Sequence, residues 1–339
     1  MRAGRKHARV WRIVTEAAFR LNGPLVVRSP NWLGDAVMAL PAVRNLKTML
    51  VKEPLTVAAP EKLAALWQAC PFVDRVVALT QPKNLRGAAD QLRTGKFGSA
   101  LLLPNSLRSA AEAWLAGIPQ RIGYLRSGRG LLLTKAVPVP PRNPVRLHQS
   151  FYYLDLVAAL GGPSEASLPE LRREPAPAEA RATVAICPGA EYGPAKRWPL
   201  ENFLAAAKHF AEKHKAKIVL LGAAGDAPLA DELARQMPEA ENRAGKTSLA
   251  EFMTALGSAR LAFCNDSGAM HVASALGVPT VAIFGSTEPL LTGPLGPRTR
   301  VLRHHVPCSP CFLRECPLDF ACMKGITPEM AIAEAEKIF

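Results

Sequence analysis

The sequence predicts an α/β protein whose two doubly wound parallel sheets face each other across a cleft. Three observations carry that expectation. Apolar runs of strand length alternate with helical stretches, first between Leu25 and Leu160 and again between Thr183 and Phe284, as parallel strands joined by helical crossovers do. Residues 161–182, between the two series, are rich in Pro, Glu and Ala with little periodicity, which suits an interdomain connector. The 339 residues suffice for two cores of ordinary size.

In the first series the expected strands are Leu25–Arg28, Leu55–Ala58, Val73–Leu79 and Ala100–Pro104. Helices are expected from Asp35 to about Leu50, from Glu61, from about Leu85, from Ser106, and from His148 to Leu160 before Gly161-Gly162-Pro163. In the second series strand Thr183–Cys187 precedes a long loop and a helix over Leu200–Lys213. Strand Lys217–Leu221 and a helix after Asp226 follow. An apolar strand from Leu261 then runs into Asn265-Asp266-Ser267-Gly268, where a helix opens that closes at Gly277, and strand Thr280–Phe284 ends in Gly285-Ser286-Thr287. The expected domains are thus 24–160 and 183–325, with a C-terminal helix over 326–339 and an N-terminal extension over 1–23.

Hydrophobic residues make up 49% of the chain, which excludes a disordered protein. No run of about 18–20 uninterrupted apolar residues offers a membrane span. The basic N-terminal run lacks the apolar core and cleavage site of a signal peptide, so a cytoplasmic protein is expected. Within it, Val10, Ile13, Val14, Ala17, Ala18 and Leu21 share a helical face. That pattern fits a helix lying on an anionic leaflet and equally a surface helix packed on the domain. Lys and Arg exceed Asp and Glu by 14, which favours anionic partners. With 6% aromatics and no zinc-finger, RNP or helix-turn-helix signature, a nucleic acid is not expected among them. Seven cysteines, an odd count, argue against a disulfide framework.

Four loops at expected strand ends hold the chemistry. Ser29-Pro30-Asn31-Trp32-Leu33-Gly34-Asp35 ends with a carboxylate at a helix start, where free N–H groups favour its ionised form; a plain N-cap would use the same residue. Pro188-Gly189 to Trp198-Pro199 combines two glycines with Lys196 and Arg197, a pairing that admits a phosphate closely. Gly222-Ala223-Ala224-Gly225-Asp226 is too short for a dinucleotide fingerprint, and Asp226 suits either a helix cap or a ribose hydroxyl. The helix start at Ser267-Gly268, flanked by Asp266 and His271 and followed by Ser286 and Thr287, offers backbone N–H groups to a phosphate. Together the loops predict a phosphorylated, nucleotide-linked ligand.

These residues also resemble a known family. Pro30 to Met38, Lys196-Arg197-Trp198-Pro199, Asn265 to His271 and Phe284 to Pro289 are similar, in order, to the motifs of glycosyltransferase family 9, and the likeness covers residues 24–339. Within the family the chain is most similar to members that transfer heptose from ADP-heptose to an already heptosylated Kdo-lipid A core of lipopolysaccharide. The resemblance implies a GT-B fold of two Rossmann-like domains and an inverting reaction that requires no cofactor, with Mg²⁺ near Asp266 left open. It implies Asp35 as the base, and Lys196, Asp226, Asp266, Ser267, Gly268, His271, Ser286 and Thr287 as donor-binding residues. Asn31, Trp32, Arg108, Arg121 and Arg126 are candidates for the anionic acceptor, whose bilayer anchor implies peripheral contact with the inner face of the inner membrane.

Two matters stay open at this level. Cys308, Cys311, Cys316 and Cys322 form a cysteine-rich segment that suits either a structural metal site or reduced thiols in a packed loop; only the first pair has metal-knuckle spacing. A family relative acting on a different acceptor, or a nucleotide-sugar binding protein without activity, would share the donor loops.

Overall fold

The computed structural model describes residues 20–50, 53–80, 84–141, 143–173 and 182–339. The amphipathic pattern from Val10 to Ala18 lies outside the described residues. The first series folds as β1 (Leu25–Arg28), α1 (Leu33–Met38), α2 (Leu40–Met49), β2 (Thr56–Pro60), α3 (Ala64–Gln68) and β3 (Arg75–Leu79), continuing through α4 (Leu85–Arg93), β4 (Ser99–Leu102), α5 (Leu107–Leu115), β5 (Gln120–Tyr124), β6 (Lys135–Val137) and α6 (Gln149–Ala158). The second contains β7 (Thr183–Cys187), α7 (Leu200–His214), β8 (Lys217–Leu220), α8 (Ala227–Gln236), β9 (Glu241–Asn242) and α9 (Leu249–Ser258). It ends with β10 (Leu261–Asn265), α10 (Gly268–Ala275), β11 (Thr280–Phe284), α11 (Pro289–Thr292), β12 (Thr299–Arg303), α12 (Ala321–Lys324) and α13 (Pro328–Glu336).

Each series forms one parallel six-stranded sheet, ordered β3-β2-β1-β4-β5-β6 in the first and β12-β11-β10-β7-β8-β9 in the second. Both orders reverse direction at a central strand pair, β1/β4 and β7/β10, and the crevice beyond such a reversal is where open α/β sheets hold ligands. Alternation along the strands explains the layering. Leu25, Val27, Val57 and Leu101 point to one core while Val26, Ala58, Ala100 and Leu102 point to another on the opposite face. In the second sheet Ala185, Cys187, Ala262 and Cys264 join the same core as Leu25 and Val27, and Val184, Ile186, Leu261 and Phe263 face away from it. One apolar core is therefore continuous between the two halves.

Two expectations need correction. The single helix expected from Asp35 to Leu50 is broken at Ala39, because Pro41 has no N–H to return to the preceding turn and fits only near a helix start. Four strands were not expected: β5, β6, β9 and β12 lie toward the outer ends of their sheets and are short or polar, so they lack the apolar run of a central strand. Among the described residues no helix is long and apolar enough to cross a membrane.

The inner helices α1 and α10 pack against each other. Glycines allow it: a Cβ on Gly34 would lie 3.1 Å from His271 Cδ2, and one on Gly268 would lie 3.0 Å from Leu33. The loop carrying Asp35 and the helix start at Ser267 are thereby brought together.

Candidate active site

A cavity of about 580 Å³ opens at the strand ends between the two halves. The first half lines it with Trp32, Leu33, Gly34 and Asp35; the second contributes Lys196, Asp226, Asp266, Ser267, Gly268 and His271.

Asp35 sits in the first turn of α1, whose N-cap residue Trp32 makes no side-chain cap. Its Oδ1 accepts a hydrogen bond of 3.0 Å from the hydroxyl of Tyr153 on α6. Burial raises the Asp35 pKa above the ordinary carboxylate value, and the Tyr153 bond only partly offsets it. The result is a carboxylate more basic than one in water.

In the second half β10 ends at Asn265, whose side chain accepts from Trp198 N–H at 2.9 Å and donates to Pro188 carbonyl at 2.7 Å, tying two donor loops together. Asp266 is buried; its Oδ2 meets Lys196 Nζ at 2.5 Å and also accepts from the Thr287 hydroxyl. Ser267 caps α10 without a side-chain bond, which leaves the helix's first N–H groups directed at the cavity. His271 is buried, and its pKa is pushed down to about 3 by burial first and then by the charges of His148 and Lys196, so it is neutral at pH 7. Asp226 takes the role of a loop brace: its Oδ2 accepts from Ala223 N–H at 2.9 Å, and Gly189 has no room for a Cβ beside it.

Several sequence candidates stand elsewhere. Ser286 and Thr287 do not line the cavity; Thr287 reaches the site only through Asp266, and Ser286 accepts from Phe312 N–H at 2.7 Å through its carbonyl. Asn31 is exposed and does not line the cavity. Arg108 donates to the buried Glu112 at 3.0 Å, and Arg126 is exposed. Arg121, at the start of β5, donates to the carbonyls of Leu132 at 2.7 Å and Ile118 at 2.5 Å, away from the strand ends that form the crevice. A Mg²⁺ near Asp266 finds poor company. Asp266 belongs to no cluster of three carboxylate, imidazole or thiol ligands among the described residues, and a lysine already neutralises it.

The cysteine-rich segment lies against the donor loops. No three of its sulfurs lie within 4.8 Å of one another, and all four are free thiols. Cys322 is buried, and burial, then the neighbouring thiols, raise its pKa. The segment braces the donor loops, mostly through its backbone. Phe312 carbonyl accepts from Tyr192 hydroxyl at 2.7 Å, Arg314 carbonyl accepts from Ala195 N–H at 3.0 Å, and Ser309 hydroxyl donates to Gly285 carbonyl at 2.6 Å. It also carries Arg314 to the cavity wall, 5.1 Å from the Tyr192 ring centroid, with Lys196 Nζ 4.8 Å from the same ring. Tyr153, His148 and Arg314 were not among the sequence candidates. His148 caps α6 and joins the halves through Nε2, 2.8 Å from Gly293 carbonyl.

This geometry, a basic carboxylate from one half in the same cavity as a cation and a free helix start from the other, defines a group transferase of a nucleotide-linked donor. The profile of Glycosyltransferase family 9 (heptosyltransferase) matches residues 86–321, and the chain belongs to that family. It is 30% identical to Lipopolysaccharide heptosyltransferase 2 of Salmonella typhimurium, over 82% of this chain and 87% of the relative. It is 28% identical to Lipooligosaccharide heptosyltransferase 2 of Haemophilus influenzae, over 82% and 88%. Among solved structures, E. coli ADP-heptose lps heptosyltransferase II superposes with a TM-score of 0.78 at 27% identity, covering 93% of this chain and 98% of that one. The protein is a glycosyltransferase with the GT-B fold.

Proposed function

We propose that the protein transfers heptose from ADP-heptose to the heptosylated Kdo-lipid A core of lipopolysaccharide, at the cytoplasmic face of the inner membrane. The observation that carries this reading is the convergence of Asp35 and the α10 helix start in one cavity. The names of the relatives supply ADP-heptose and lipopolysaccharide, and the motif resemblance supplies the heptosylated Kdo-lipid A form of the acceptor.

The reaction is a single in-line displacement. The acceptor hydroxyl oxygen bonds to the donor's anomeric carbon as the bond from that carbon to the diphosphate oxygen breaks. The electron pair leaves on ADP, and the hydroxyl proton passes to Asp35. General base help of this kind contributes about 10²–10⁴-fold. Burial makes Asp35 a stronger base, and Tyr153 fixes its orientation. From the second half the N–H groups at Ser267 and Gly268, with Lys196 and Arg314, stabilise charge growing on the departing diphosphate. Among the described residues four carboxylates line the cavity, namely Asp35, Glu191, Asp226 and Asp266, so an incoming diphosphate depends on these cations. Lys196 is already paired with Asp266. Arg314 makes no ion pair among the described residues and is the uncommitted cation on the wall.

The deciding experiment offers ADP-heptose with Kdo₂-lipid A or its mono-heptosylated form and weighs the products by mass spectrometry. Gain of one heptose on the heptosylated acceptor alone is expected. Gain on Kdo₂-lipid A alone would assign the first heptose instead, and no gain on either would reject the acceptor.

A further inference from the structure

One stretch of the first half has a charge balance and an apolar surface that the transfer reaction does not use. Between Asp90 and Asp155 the chain has nine lysines and arginines and a single acid, Glu112. That acid is buried and holds Arg28 and Arg108, each at 3.0 Å, so no carboxylate of this stretch reaches the surface.

Large apolar side chains stand in solvent on the same stretch. Leu107 and Trp114, seven residues apart on α5 and hence on one side of it, are 51% and 53% exposed. The crossover from β5 to β6 packs against α5 and presents Leu125 and Leu131, 55% and 99% exposed. Leu125 lies back against Gly130, where a Cβ would come within 2.9 Å of it, so the two leucines are neighbours on the crossover. Arg126 is exposed beside them.

We propose that this face, α5 together with the β5–β6 crossover, docks on an anionic lipid bilayer. Leucines and a tryptophan flanked by cations are the composition of a surface that lies at headgroup level. The scarcity of acids decides for a bilayer over a protein partner; the flanking Asp90 is neutralised by Arg93, which donates to the Leu115 carbonyl of α5. An anionic leaflet repels every exposed carboxylate, whereas a protein partner needs only a local match. The proposal rests on the reading of the acceptor as a bilayer-anchored lipid. Leu107 and Leu125 closely follow the ends of β4 and β5, on the sheet edge from which α1 carries Asp35, so a bilayer on this face would present the acceptor to the cavity.

The test is cosedimentation of the full chain with phosphatidylglycerol-containing vesicles and with phosphatidylcholine vesicles. Selective binding to the anionic vesicles is expected, with Leu125→Glu/Leu131→Glu binding them about tenfold or more weakly. Leu318→Glu, exposed on the second half, should bind as the wild type does. The substituted side chains are exposed, and unchanged ADP affinity in the double variant reports an intact fold. Undiminished vesicle binding by the double variant, or equal binding to both vesicle types, overturns the proposal. A dimer of the wild type that the double variant abolishes, without vesicle binding, overturns it in favour of a second copy. The reading of the site fails separately, through absence of ADP binding or of transfer to either acceptor, whatever the vesicles show.

Discussion

Tyr153 donates its hydroxyl to Asp35 Oδ1 at 3.0 Å from a position 118 residues away in the chain, and it is the side-chain bond that restrains the aspartate's raised pKa. A hydrogen bond to the ionised form favours that form, so its loss lets burial act alone. Asp35 must be ionised to accept a proton, and activity therefore falls as pH drops through its pKa. In Tyr153→Phe the acid limb of kcat/KM should move to higher pH. A limb that stays in place, or moves lower, would show that Tyr153 does not tune the base.

Substitution of Asp35 by Asn should lower kcat by about 10²-fold or more, since a base is lost while the shape is kept, and leave ADP affinity near that of the wild type. The same change should stabilise the fold at neutral pH. A carboxylate whose folded pKa lies above its unfolded value binds its proton more tightly when folded, so above both values its ionised form weakens the folded state. Thermal melts would show Asp35→Asn with the higher Tm at pH 7 and the gap closing as pH falls through the raised pKa. A lower Tm at pH 7 contradicts this account of the aspartate's burial.

Lys196 and Asp266 form a buried pair at 2.5 Å, with their side chains 12% and 6% exposed. Removing the ammonium leaves a buried carboxylate with the Thr287 hydroxyl as its named partner, and breaking such a pair costs about 3–5 kcal/mol. Lys196→Met should show that loss in chemical denaturation. ADP affinity should fall by about tenfold or more in calorimetry, the scale of one charged hydrogen bond. Wild-type ADP affinity in this variant would leave the lysine a purely structural role.

The residues also show where sequence reasoning reaches and where it stops. Strands such as Thr183–Cys187 and Thr280–Phe284 are apolar and buried throughout and lie inside the second sheet, so the apolar run alone marks them. Thr299–Arg303 pairs on one side only and carries two arginines, and Glu241–Asn242 is two polar residues; their pairing with β11 and β8 is what makes them strands. Asp35, Lys196, Asp266 and Ser267 were legible because each lies in a loop directly after a central strand. Tyr153 and Arg314 were not, since Tyr153 comes to Asp35 and Arg314 to the cavity wall from distant segments through tertiary packing. The role of the cysteine-rich segment was not legible: its thiols are neighbours with no three of them within 4.8 Å of one another, and the segment reaches the donor loops through backbone carbonyls, the Ser309 hydroxyl and the Arg314 side chain.

Arg314 faces a cavity with more carboxylates than cations and has no anionic partner of its own among the described residues. A diphosphate bound there would supply that partner, whereas the nucleoside would not. Arg314→Gln should therefore weaken ADP binding by about tenfold, as loss of one charge-assisted contact does, while adenosine binding stays unchanged. Equal weakening of both would mean that the substitution has distorted the pocket rather than removed a phosphate contact. Gly193→Ala separates the two further, because a Cβ there would lie 2.3 Å from the Arg314 carbonyl oxygen. The brace between segment 312–314 and the Lys196 loop would have to move, and ADP affinity should fall at least as far as in Arg314→Gln. Full ADP affinity in Gly193→Ala would show that the cysteine-rich segment does not position the diphosphate cations at all.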